Sequence, residues 1–323
     1  MKKLTLFLLC SSMIVFSLLS LKGVEAMEEG NQFNELSRIT GIEPYAGNPT
    51  SDPVANRIYN QVSNREYEEI ESTVKKDYSS RVIVGEDTRT QVFDISDHDY
   101  RTVARIVSTY PNGQSTACSS TLVSENMILT NAHCVYSADR GGLALTVTVT
   151  PGQTSNINQG RPFGTVRSSN INVPDNWITT QNRNYDYAIV QLQQPIGYLT
   201  GWKGLATNVT VNDITQHIHS SAGYPGDKPT GTMWVDHGNV WFESNQNNLL
   251  YHNLSTMPGS SGSGVYRKFD NMSSNLSYII AVHAAGLVNG RANIAVNLTD
   301  TAFTNTGEEV INWINQGRYN YLQ

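Results

Sequence analysis

At 323 residues and 39% hydrophobic, the chain is long enough to bury a large core and too apolar to be disordered. Its formal net charge of -6 leaves no basic surplus for a phosphate backbone, so nucleic acid is excluded as the expected partner. The same balance gives no reason to expect binding to an anionic membrane surface.

In chain order, the first element is a leader. "MKKLTLFLLCSSMIVFSLLSLKGVEA" has two lysines, an apolar run from Leu4 to Leu19, and small residues around Ala26 where a signal peptidase reads. It predicts a secretory signal peptide over 1–26, the bland alternative being an uncleaved membrane anchor. Residues 27–81 are polar and charge-rich, with few apolar residues in any periodic pattern, and predict a pro-segment. At Val82 the composition shifts to "VIVGEDTRTQV". Short apolar or alternating runs then follow, among them "YRTVARIVST", "SSTLVSENMILTNAHCVY", "DYAIVQLQQPIG" and "YIIAVHAAG". Runs of this length, spaced by Gly, Pro and Asn, predict an all-β sandwich or barrel and not an alternating α/β fold. The part from 82 to 323 has room for two barrels in succession, with a break near 197–204. At the end, Thr306 and Glu309 stand at capping-box spacing before Val310, Ile311, Trp313 and Ile314, which predicts a short helix packed on the barrel.

Of the three cysteines, Cys10 would leave with the signal peptide, so Cys118 and Cys134 remain in an oxidising compartment. A disulfide between them would stabilise the fold by roughly 3 kcal/mol on the chain-entropy model. Neither lies in a CxxC spacing, which disfavours a metal site. His217 and His219 in "HIHS" share one strand face and could begin a zinc site with His237 or His252, but no carboxylate or cysteine accompanies them. No metal and no cofactor is expected. "GYPGDKPTG" reads as a tight loop with Asp227 and Lys228 as solvated turn residues.

"TMPGSSGSGVY", from Thr256 to Tyr266, is either a flexible Ser/Gly loop or the seat of a nucleophile. A serine nucleophile needs a base, an acid that orients the base, and donors for the oxyanion. "ILTNAHCVY" puts His133 just after an apolar strand, and "NYDYAIVQL" puts Asp186 at the mouth of another. Alone, each is more often a packed histidine or a turn former. Together, ahead of a glycine-flanked serine, they stand in the His, Asp, Ser order of the chymotrypsin arrangement, and the frame around Ser261 and Ser263 never meets G-x-S-x-G.

From Val82 onward the chain resembles the glutamyl endopeptidases, the Glu-specific serine proteases secreted by Gram-positive bacteria. The resemblance rests on "VIVGEDTRTQV", "TNAHCVY", "NYDYAIVQLQQPIG", "GYPGDKPTGTMW", "LSTMPGSSGSGVY" and "AVHAAG". It implies a chymotrypsin-like double β-barrel with His133 as general base, Asp186 as its orienter and Ser261 as nucleophile, and with Gly259 and Ser261 giving the oxyanion-hole amides. Thr256 and His283 match the family residues that contact the substrate carboxylate, and the α-amino group of Val82, freed by cleavage after Arg81, would be the third donor. Ser255, six residues before the nucleophile, is neutral, which disfavours a trypsin-like preference for Lys or Arg. A hydroxyl plus an imidazole suits a Glu side chain, through one neutral hydrogen bond and one that is charge-assisted when the imidazole is protonated. Ala284 and Ala285 depart from the residues that often wall this pocket in relatives. The expectation is therefore a secreted, monomeric zymogen that needs an activating protease and cleaves proteins or peptides after Glu, less well after Asp. Two alternatives stand beside it: a protease of the same fold with another P1 preference, and a non-catalytic binding or toxin-like scaffold.

Overall fold

The computed structural model describes residues 41–49, 61–75, 83–155, 160–243, 248–270, 274–287, 290–299 and 305–322, all within one unit that spans Ile39–Gln323. The signal peptide expected over 1–26 and the Arg81/Val82 junction lie outside the described residues. No helix among the described residues is long and apolar enough to cross a membrane.

Six strands close the first barrel: β1 (Val103–Thr109), β2 (Ser115–Ser124), β3 (Met127–Thr130), β4 (Thr146–Pro151), β5 (Val166–Asn172) and β6 (Ala188–Leu192). They pair in the order β6-β3-β2-β1-β4-β5, and β5 returns to β6. The period of two decides what lies inside. In β1, Ala104 and Ile106 join Leu122, Ile128, Val147 and Val190 in the barrel core, which leaves Arg105 on the opposite face.

The second assembly uses β7 (His219–Gly223), β8 (Trp234–Gly238), β9 (Val240–Trp241), β10 (Leu249–His252), β11 (Gly264–Arg267), β12 (Tyr278–Gly286) and β13 (Asn293–Asn297). These run in the order β9-β10-β13-β12-β11-β7-β8, with Thr90–Gln91 beside β8. Gly204–Ala206 lies parallel to β12 and is itself paired with Gly41–Ile42. The architecture is thus all-β and double-barrel-like, as the sequence predicts, although among the described residues the second half is a ten-stranded sheet, with eight strands in one path and Gly41–Ile42 and Gly204–Ala206 branching from it, and not a closed ring.

Residues ahead of Val82 are built into this body, which the sequence did not foretell. Helix α1 (Asn64–Ser72) starts at Ser63, whose hydroxyl accepts from the Glu66 N–H at 3.2 Å. Its exposed face carries the i,i+4 pair Arg65–Glu69. A helix this short is marginal alone, so its docking face matters more. Tyr67 is 2% exposed, its hydroxyl donating to Gln153 at 3.0 Å, and Glu71 pairs with Arg105. Beyond α1, Lys75 N–H donates to the Ser115 carbonyl and Ser115 N–H to Thr73, so 73–75 lie along the edge of β2.

Helix α2 (Thr306–Leu322) buries Val310 and Ile314 in the larger core, with Trp313 packed 5.8 Å from the Tyr187 ring. The expected capping box does not form. Thr306 is the first helical residue, its hydroxyl donating to Asn248 Oδ1, while the Glu309 carboxylate accepts from Tyr187 at 2.6 Å. Tertiary partners therefore take both side chains that local spacing assigned to the cap.

Candidate active site

His133 sits in the single turn Ala132–Cys134 that follows β3, and Asp186 sits just before β6, the strand paired with β3. The pairing of these strands brings the two side chains together. His133 Nδ1 lies 2.7 Å from Asp186 Oδ2, and the His133 backbone N–H donates to Oδ1 at 2.9 Å. The Asp186 side chain is 1% exposed and that of His133 is 35% exposed, so the acid is sealed behind the ring and the ring faces the cleft. A Cys118–Cys134 disulfide ties the turn to β2, as expected.

The Ser261 loop is held from both sides. Gly262 N–H donates to the His283 carbonyl at 2.9 Å and His283 N–H to Ser263 at 2.8 Å, while Ser119 N–H donates to the Ser261 carbonyl at 2.8 Å. Gly262 has φ +88°, and a Cβ there would lie 2.1 Å from the Ser119 carbonyl oxygen, so glycine is required. Gly259, at φ +98°, follows a carbonyl on Pro258 that accepts from Gly226 N–H at 2.6 Å. With that carbonyl turned to Gly226, the Gly259 N–H of the same planar peptide points the other way. Neither it nor the Ser261 N–H donates to any group among the described residues. Ser261 Oγ donates to the Ala284 carbonyl at 3.5 Å.

A cavity of about 260 Å³ opens beside Ser261 and is lined by His133, Asp186, Thr256, His283, Ala284 and Ala285. The structure thus gathers the two expected pocket side chains at one opening with the Ser, His and Asp; Val82 lies outside the described residues. His283 does not stand alone, for His252 Nε2 lies 3.1 Å from its Nδ1 and the rings meet edge to face at 5.1 Å. Burial, with the nearby His133, pushes His283 down to about 3. Without a carboxylate beside it the imidazole is therefore neutral, and a charge-assisted bond from this ring would need the substrate to raise it.

His252 is likewise held well below the usual range by burial and by the neighbouring His283, and His219 is pushed down to about 4 by burial and Arg267. The zinc alternative groups His217 and His219 with His237 or His252. In the structure His217 precedes β7, and His237 turns to the Ser220 hydroxyl at 2.8 Å.

These three histidines make stability acid-sensitive. Their folded values lie below the unfolded value near 6.5, so the unfolded chain binds more protons; stability is full above that pH and is lost as pH falls. Each should add on the order of 1 kcal/mol per pH unit while it stays neutral in the folded chain. The melting temperature should fall steadily from pH 6.5 to 4, and His219→Gln should flatten the fall. Parallel profiles for the two proteins would remove His219 from the account.

The segment that would follow a new terminus at Val82 is anchored beside the pocket. Arg89, its side chain 2% exposed, holds Asp87 at 2.8 Å and Asp227 through two bonds of 3.0 and 2.7 Å. Lys228 pairs with Asp87 at 3.1 Å and lies 4.2 Å over the Trp234 ring. Asp227 and Lys228 are therefore clamps and not the solvated turn residues expected. Asp236, which the sequence reading passed over, accepts from the Thr88 hydroxyl and, at 2.6 Å, from the Ser255 N–H. The Ser255 hydroxyl in turn donates to the Glu86 carbonyl at 3.4 Å, next door to Thr256.

The trypsin family model matches residues 93–277. A glutamyl endopeptidase of Bacillus licheniformis is 30% identical over 79% of this chain and 76% of its own length. A Bacillus subtilis protein named extracellular metalloprotease is 31% identical over 72% of this chain and 70% of its own. A solved structure of a Glu endopeptidase in complex with MPD superposes with a TM-score of 0.57 at 31% identity, covering 72% of this chain and 99% of that one. Among the described residues a metal of the kind the second name implies finds no free donor set. Among the described residues the one group at ligating distance is Cys118, His133 and Cys134, and the two sulfurs are bonded to each other, with no thiolate to offer.

Proposed function

The chain belongs to the trypsin family of serine endopeptidases, and on that premise we propose that it is a secreted, monomeric zymogen whose mature part, beginning at Val82, hydrolyses peptide bonds after Glu and less well after Asp. The observation that carries this reading is the shared opening of Thr256 and His283 with Ser261, His133 and Asp186.

Ser261 Oγ turns from the Ala284 carbonyl to His133 Nε2 and attacks the scissile carbonyl. Its proton passes to Nε2, and Asp186, already 2.7 Å from Nδ1, stabilises the imidazolium. The free N–H groups of Gly259 and Ser261 receive the oxyanion. His133 then protonates the leaving amine and deprotonates the water that releases the acyl group.

The Thr256 hydroxyl and His283 Nε2–H donate to the Glu carboxylate. For a neutral His283 to donate from Nε2, its Nδ1 must accept, which requires His252 to carry its proton on Nε2, 3.1 Å away. The positive charge then has to come from the Val82 amine. Four extended residues span about 13 Å, which is the reach of that amine from Glu86, whose carbonyl is held by Ser255 next to Thr256. Another protease must first cut after Arg81, which keeps the precursor poorly active.

Cleavage-site profiling of the mature protein on a mixed peptide library tests the proposal, with Ser261→Ala as control. Glu should dominate P1, and the control should show no cleavage. Cleavage without a Glu preference would discard the Thr256/His283/Val82 pocket and keep the nucleophile.

A further inference from the structure

Arg105 is a cation that the chemistry at Ser261 does not use. It projects from the outward face of β1 and is 5% exposed. Both partners of its guanidinium come from α1: Glu71 accepts from both terminal nitrogens, with Nη2 to Oε2 at 2.9 Å, and Tyr67 Oη lies 3.1 Å from Nη1. Arginine does not deprotonate at any physiological pH. Cleavage after Arg81 and loss of the segment before it would remove both partners and leave the charge.

What Arg105 would face is a second cavity of about 470 Å³, lined by His133, Gly259 and Ser261 on one side and by Arg105, Glu71 and Lys75 on the other. It adjoins the same Ser261–His133 pair as the Thr256/His283 opening but lies toward Ala117 and Cys118 of β2. A P1 side chain in the Thr256/His283 opening sends the residues after the scissile bond into this second cavity. The edge of β2 there is free of β3, whose pairing begins at Thr121; in the precursor 73–75 pair with its first residue, Ser115, and Val74 and Lys75 line the cavity. The leading segment thus places an acidic side chain and a short extended strand where the leaving half of a substrate would lie.

We propose that Arg105 forms a subsite for an acidic side chain within the first few residues after the scissile bond, and that Glu71 fills this subsite in the precursor. This rests on the reading of 27–81 as a removable segment and of Glu as the P1 residue. A carboxylate would take the bidentate place that Glu71 holds, one charge-assisted pair replacing another.

The full-length chain is folded as the precursor, cut after Arg81 and freed of the leading segment. It is then assayed on peptides identical up to P1 Glu, with Asp or Glu against Asn or Gln at each of the three following positions. At low salt kcat/KM should be about five- to tenfold higher for the acid than for the amide at one position, and the preference should shrink as salt screens the pair. Arg105→Met should bring the ratio to one while leaving the rate on the amide peptides unchanged, and Arg105→Lys should keep part of it. Equal rates for acid and amide in the unaltered protein, or a preference that survives in Arg105→Met, would overturn the subsite. The first of these needs no variant, so a substitution that fails to fold does not shield the proposal. Absence of cleavage after Glu on every peptide would overturn the proposed function with it, and is distinguished from loss of the acid/amide ratio alone.

Discussion

Ser261→Ala in the mature protein should lower kcat by about 10⁵-fold or more and leave the fold intact. Removing a nucleophile that acts as one unit with its base eliminates nearly the whole covalent route, because neither partner keeps its use without the other. The residual rate would be what the two free N–H groups of Gly259 and Ser261 supply by polarising a bound carbonyl. Stability should hardly change, since the loop is fastened through backbone bonds to His283 and Ser119 and the hydroxyl makes only a 3.5 Å contact with Ala284. Turnover measured on a Glu peptide, with melting temperature alongside, checks both halves. Retained hydrolysis would remove Ser261 from the mechanism. Equal labelling of the variant and the unaltered protein by a serine-directed covalent probe would revive the scaffold reading.

The parts of this site that could be read from sequence are those carried by short local patterns. His133 after "MILTNA" and Asp186 before "YAIVQL" stand at strand ends, and the strands that carry them pair directly, so order along the chain was enough to suggest their meeting. Ser261 was legible because glycines surround it and one of them, Gly262, has no room for a side chain. Residues that work through distant partners gave no such signal. His252 and His219 stood out in the sequence only as candidate zinc ligands, and only the lateral order of β10, β13 and β12 brings His252 to His283. Asp236 and the Arg89 clamp depend on Thr90–Gln91 docking beside β8, a two-residue contact with no periodicity to betray it. The same holds for Glu71 and Arg105, 34 positions apart. A polar, weakly periodic stretch such as 64–72 becomes a helix because Tyr67 and Glu71 find partners on a body folded around other residues. The capping-box reading at Thr306 and Glu309 failed for the mirror reason, since a locally sound pattern was outbid by Asn248 and Tyr187.

Blocking the amine of Val82, by one extra residue ahead of it or by acetylation, should cut kcat/KM on Glu peptides by about 10²-fold while cleavage of poorer, uncharged P1 peptides changes little. The pocket in its empty state holds a neutral His283, so Thr256 and His283 together offer two dipoles and no charge. A Glu carboxylate brought between Thr256 and His283 without a counter-charge bears a desolvation cost that two neutral hydrogen bonds do not offset. The amine changes that balance, a buried charge-assisted bond being worth about 1.5–3 kcal/mol, which corresponds to roughly 10- to 150-fold. Its delivery depends on the anchored stretch behind it. Arg89 bridging Asp87 and Asp227, and Asp236 bridging Thr88 and Ser255, tie this stretch to the residue next to Thr256, so the free end has only a few residues left to order. Breaking one anchor, as in Arg89→Met, should therefore imitate the blocked terminus in kcat/KM for Glu and leave the uncharged P1 peptides as before. An unchanged Glu preference with the amine blocked would transfer the charge to His283, and the pH profile of kcat/KM would then fall through the value of that ring in the bound state as pH rises.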